Sequence, residues 1–117
     1  MKLPINDERL ISDVQADFNH YYPYLKLEFF PRNGNVSKPP QFLSPGTRID
    51  DIVYTMQDGT IQLSDQMTVS ELERIFNERF GLRVQVFRKS GNIWLETTRT
   101  DKWTLKVQND HGREISA

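Results

Sequence analysis

The sequence predicts an α+β fold: a four-stranded, mainly antiparallel sheet with two helices on one face and a short C-terminal helix. Three observations predict it. Residues Thr68 to Glu96 carry a helix pattern that runs directly into a hairpin pattern, and a weaker copy of the same pattern lies upstream. The second helix is followed by a hairpin rather than by another crossover, which disfavours a parallel doubly wound sheet. The arrangement that satisfies all three is a permuted ferredoxin-like one with an αββ internal repeat. A βαββ-type or ubiquitin-like roll is the alternative.

Taking the elements in order, Asn6 can cap a first helix, with Asp7 and Glu8 at its positive end. Leu10, Ile11, Val14, Phe18, Tyr21 and Tyr22 form its apolar stripe, and Pro23 ends it. Tyr24 to Phe30 alternates Leu25, Leu27 and Phe29 against Lys26, Glu28 and Phe30, the period of a half-buried strand. Residues 31–59 hold Pro31, Gly34, Pro39, Pro40, Pro45 and Gly46 and predict a long irregular loop. Ile49, Ile52 and Val53 can anchor a short helix or strand over Arg48–Tyr54, and Thr60–Ser64 resembles a strand.

The next helix is the best marked. Thr68 is an N-cap with Glu71 at the capping-box position, Met67 and Leu72 have hydrophobic-staple spacing, and Val69, Leu72, Ile75, Phe76 and Phe80 share a face. Gly81 supplies the left-handed stop. Leu82, Val84 and Val86 then alternate with Arg83, Gln85 and Phe87, Ser90-Gly91 marks the turn, and Ile93–Thr97 returns. Thr100 or Asp101 can cap a last short helix that Gly112 stops, with Arg113–Ala117 fraying.

The upstream copy is offset by 58 residues: Ser12–Asn19 aligns with Ser70–Asn77, and Tyr22 with Phe80. Dropping one residue at the turn aligns Leu25–Phe30 with Leu82–Phe87. A true repeat and convergence on a common helix–strand pattern both explain the match.

Composition narrows function by exclusion. The chain has 117 residues, 37% apolar and 26% charged, which fits a single domain. With no cysteine, it has no disulfide, no thiolate nucleophile and no Cys-based metal site. No apolar run approaches a membrane span and no signal peptide pattern opens the chain, so a cytoplasmic protein is expected. The net charge of −1 gives no global attraction to nucleic acid. Basic residues do gather late, at Arg83, Arg88, Lys89, Arg99, Lys102 and Lys106, and are read as the solvated surface of the hairpin.

The run SGNIWLETTRTDKWTLKVQNDHG, with its Gly-Asn-x-Trp-Leu-Glu-Thr strand and Thr-Asp-x-Trp-Thr-Leu helix start, resembles a C-terminal pattern of small uncharacterised bacterial proteins. The resemblance extends over Val69–Gly112. It implies a bacterial origin and brings no activity, cofactor or site residue with it.

Chemistry has few handles. His20 and His111 are far apart and lack ligand partners at metal-site spacing, and Asp50-Asp51 is an acidic pair suited to capping a turn. No phosphate-binding, zinc-protease or nucleophile-elbow motif occurs. Arg32, Lys38 and Arg48 would suit an anionic substrate, but no nucleophile or base accompanies them. No catalytic residue, cofactor or metal is therefore expected, and the protein is read as a non-enzyme.

One constellation is geometric. Alternation places Phe30, Phe87 and Trp94 on the sheet face away from the helices, with Lys26, Arg83 and Gln85 beside them. Exposed aromatic patches mark protein contacts, so a protein-interaction module is expected, self-associating through this face as a homodimer. Interleaved aromatic and basic residues also suit single-stranded nucleic acid, which is the alternative.

Overall fold

The protein is described by a computed structural model covering residues 1–32, 41–53 and 57–116. Five strands and three helices follow in the order β1 (Lys2–Ile5), α1 (Ile11–Tyr21), β2 (Leu25–Phe30), β3 (Gly59–Gln62), α2 (Val69–Phe80), β4 (Arg83–Ser90), β5 (Ile93–Glu96) and α3 (Leu105–Ser116). Single 3-10 turns lie at Ile49–Asp51 and Thr98–Thr100. No helix of the described residues is long and apolar enough to cross a membrane.

The α+β class holds, but the single four-stranded sheet does not. There are two antiparallel sheets: β1 with β3, and β2-β4-β5. The expected strand near Thr60 joins neither β2 nor β4. It pairs with an N-terminal strand that the sequence hides, in the register Leu3↔Ile61 and Pro4↔Thr60. That strand has only two inward side chains, Leu3 and Ile5, and Pro4 interrupts its ladder. Such a segment is too short for periodicity to reveal.

α1 begins later than expected. Asn6 Oδ1 accepts hydrogen bonds from the Glu8 and Arg9 amides, at 3.1 Å each, and so closes a turn rather than a helix cap. Leu10 is the N-cap, and Asp13 Oδ2 accepts from its backbone N–H at 2.9 Å. α2 agrees with expectation: Thr68 Oγ1 accepts from the Glu71 amide at 3.1 Å, and Gly81 adopts φ 66°. Between β4 and β5, Gly91 at φ 63° opens a two-residue turn of the type that demands glycine first.

α3 corrects the expected C-terminus. It starts at Leu105, is not stopped by Gly112, and runs on through Arg113 to Ser116. Gly112 is buried because the helix crosses the start of β2 closely, where a Cβ would lie 2.9 Å from Tyr24 Cβ. Glycine here serves an approach, not a stop. Of the expected 31–59 loop, residues 33–40 and 54–56 lie outside the described residues. The remainder is ordered by the core: Ile49 is fully buried and Arg48 pairs with Asp50 rather than standing free.

The likeness between the two halves extends further than the sequence match. In each half the helix N-terminus is met by a returning segment with the same hydrogen bonds. Ile11 N donates to Thr47 O (2.9 Å), as Val69 N does to Trp103 O (3.1 Å). Ile49 N donates to Arg9 O (2.9 Å), as Leu105 N does to Met67 O (2.8 Å). Ile49 and Leu105 are both fully buried plugs of one core, which also takes in Phe18, Phe29, Phe76, Leu3 and Ile61. The halves thus meet as β1 against β3 and β2 against β4. Among the described residues, only the second half adds an outer strand, β5, and a full helix after it.

Candidate interaction surface

Register fixes which side chains share the outer face of the β2-β4-β5 sheet. Directly opposed residues lie on the same side, and the pairs are Lys26↔Phe87, Glu28↔Gln85, Phe30↔Arg83 and Lys89↔Trp94. Phe30, Phe87, Trp94, Lys26, Arg83 and Gln85 therefore do lie on one face. Lys26 Nζ sits 5.0 Å from the Trp94 ring centre and 5.8 Å from that of Phe87. Arg83 Cζ lies 5.6 Å from the Phe30 ring, so each cation rests on an aromatic face. Gln85 is turned back on the strand, with Nε2 donating to Val86 O at 3.1 Å.

This face is not an open platform. Phe42, from the irregular segment before Ile49, places its ring 5.3 Å from Phe30 and 5.5 Å from Phe87. Leu43 N holds that segment to the sheet by donating to Phe29 O at 2.7 Å. Phe87 is only 8% exposed as a result. Sequence reasoning missed Phe42; its one signal is the Phe42-Leu43 pair standing in a Pro/Gly-rich polar stretch. Trp94, half-buried, lies beyond the reach of this cover.

Larger apolar exposure lies elsewhere, on β5 and on α3 and the turn before it. Leu95 is opposite Arg88, so Ile93 and Leu95 point to the α3 side of the sheet. They are 59% and 38% exposed. On α3, Asn109 Oδ1 accepts from Tyr24 N at the start of β2, which turns the opposite flank, His111 and Ile115, towards β5. Trp103 packs its ring 5.5 Å from His111 and is itself exposed, as is Ile115. His111 thus lies within α3 as an aromatic neighbour of Trp103. β5 is also the outer strand of its sheet, and among the described residues no strand pairs with its far edge. The other outer strand differs. Along β2, Gln15, Asn19 and Leu43 N donate to Leu27 O, Leu25 O and Phe29 O.

A third feature lies at the near end of β4. β5 pairs only with Phe87–Ser90, and the Val86 N–H left over donates to Glu73 Oε2 at 3.0 Å. Burial, with Asp101 nearby, raises the Glu73 carboxyl to about 7, although the Val86 bond opposes the shift. Glu73, Asn77, Arg83, Gln85, Val84 and Phe30 line a groove of about 440 Å³ there. In the other half the equivalent of Glu73 is the neutral Gln15. Between pH 4.5 and about 7 the folded chain keeps a proton that the unfolded chain releases. Stability therefore falls as pH rises through this window and levels off above it. Glu73→Gln should flatten that fall and stabilise the protein at pH 8 by roughly 1–2 kcal/mol, a figure reduced for the carboxyl's partial exposure. Urea melts of both proteins at pH 5 and pH 8 check this, and equal pH dependence would contradict it.

Among the described residues no group of three or more His, Cys, Asp or Glu side chains is placed to hold a metal ion. Arg48 is occupied by Asp50, with bonds of 3.0 and 2.6 Å, while Lys38 lies outside the described residues. The chain matches no protein-family model, no curated protein and no solved structure.

Proposed function

We propose that the protein is a non-catalytic interaction module that associates with a second copy of itself through β5 and the adjoining flank of α3. The observation that carries this reading is the edge strand. Ile93 and Leu95 are exposed apolar side chains on the sheet face that carries α3, where Trp103 and Ile115 are exposed as well, and among the described residues no further strand pairs with the outer edge of β5. Edge-to-edge antiparallel pairing about a twofold axis would satisfy the backbone groups of that edge and bury both apolar flanks together. The proposal moves the interface from the outer aromatic face to its rim, because Phe42 already covers Phe30 and Phe87. Trp94 stands at the junction of the two.

The single-stranded nucleic-acid reading keeps Lys26 over Trp94 but loses the stacking surface that Phe42 occupies. Sedimentation velocity from low to high micromolar concentration tests the preferred reading. The wild type should reach a dimer, and Leu95→Lys should remain a folded monomer, since the exposed side chain contributes little to its own fold. A wild type that stays monomeric throughout overturns self-association.

A further inference from the structure

The late cluster of basic residues is not all solvated surface. Arg88 projects from β4 beneath α3 and is held on several sides. Its Nη1 donates to Gln108 Oε1 at 2.9 Å. Gln108 is itself fully buried, and its amide nitrogen donates to Thr100 O and Thr100 Oγ1 at 2.8 and 2.7 Å. Both of its amide hydrogens are thereby used, so the carbonyl oxygen is fixed towards Arg88. The Arg88 guanidinium also stacks 5.7 Å from the Trp103 ring. Its Nε–H is buried with no partner, and among the described residues no carboxylate forms an ion pair with it.

A cation that is rigidly placed, partly desolvated and without a counter-ion is an unbalanced arrangement. Burial pushes its pKa down, in keeping with that imbalance. Arg88 is one of the residues lining a cavity of about 420 Å³, with Arg99, Thr98, Thr100 and Glu96. Arg99 likewise forms no ion pair among the described residues. Glu96 is exposed, and its Oε2 accepts from the Thr98 hydroxyl at 3.3 Å. It stands on the Phe87 side of β5, opposite to the side from which Arg88 projects.

We propose that this cavity binds a phosphoryl group, held between Arg88 and Arg99 beside the Thr98–Thr100 turn. Two guanidinium forks suit an anion with several acceptor oxygens in three dimensions. Two arginines set against one carboxylate leave net positive charge for it. The cavity is roomier than a lone phosphate requires, so an ester substituent can be admitted.

Two-dimensional NMR titration of the full chain with inorganic phosphate and, separately, O-phosphoserine tests the site at constant ionic strength. Saturable shifts are expected in the Thr98–Thr100 amides and the Arg88 side chain, with none from acetate. Arg99→Ala should weaken phosphate binding by roughly tenfold or more, as removing a charged donor does. Because Arg88→Met risks disturbing α3, exposed Arg99 carries the mutational test, and the Arg88 side-chain resonance reports on its partner. Tighter binding of O-phosphoserine would identify the ligand as an ester, and equal binding as the free anion. Non-saturable shifts, equal shifts with acetate, or undiminished binding by Arg99→Ala would each overturn the site.

Discussion

Replacing Phe76 by alanine is expected to destabilise the protein by about 3–5 kcal/mol, among the largest single losses available in its core. The ring is fully buried and meets Phe29 edge-to-face at 5.8 Å, joining α2 to the β2-β4-β5 sheet. Its counterpart 58 residues earlier, Phe18, is equally buried on α1, so each half places a phenylalanine from this helical position in a common core. Alanine leaves a cavity that two sheets and two helices cannot all relax into. Urea unfolding should show a lower midpoint with an unchanged slope. A loss below about 1 kcal/mol would mean that the core is not shared in this way.

Gly112→Val should follow, with a loss of about 1–3 kcal/mol from overpacking. A Cβ at this position would lie 2.9 Å from Tyr24 Cβ, 3.1 Å from Arg88 Cγ and 3.2 Å from Tyr24 O. The carbonyl belongs to backbone, so α3 must move away from β2. Gly112→Ala makes the sign decisive. On an exposed helix that change stabilises by about 1 kcal/mol through propensity, whereas here the same methyl should destabilise. Thermal melts of the two variants distinguish these outcomes, and a stabilised alanine variant would place α3 further from the sheet than it is.

These two positions also show where the sequence was legible. Phe76 sits in a helix whose cap, stripe and stop all agree, and it was assigned to the core from spacing alone. Gly112 carries the same residue type as Gly81 but does the opposite job. A glycine that ends a helix and one that lets a helix approach a strand look alike until the strand is known. The first strand escaped detection because two inward residues and a proline make no measurable period. Its absence led to the single-sheet expectation, since the strand at Gly59–Gln62 then had no partner except the main sheet. The likeness of the halves was visible in helix and strand, yet its second part was not. Residues 45–51 and 101–107 share hydrogen bonds and one buried plug each, with little shared sequence.

The candidate surface divides in the same manner. Alternation correctly put Phe30, Phe87 and Trp94 on one side, because strand period is a local property. Whether that side was covered depended on Phe42, which reaches it from a segment with no period at all. The exposure of Ile93 and Leu95 could not be read from alternation either. They point to the same side as Val84 and Val86, yet on the outer strand they stay exposed while Val84 and Val86 are buried. Arg88 is the reverse case, a basic residue assigned to solvent that the returning α3 encloses.

The most direct test of the self-association account is hydrogen exchange at the outer edge of β5. Lys89 N donates to Tyr24 O on the β2 side, so its partner Trp94, and Glu96 beyond it, turn their amides away from β4. If two copies pair along this edge, protection of the Trp94 and Glu96 amides should rise with protein concentration, while amides in the β2-β4 ladder stay unchanged. Exchange at Trp94 and Glu96 that is fast and independent of concentration would contradict the account.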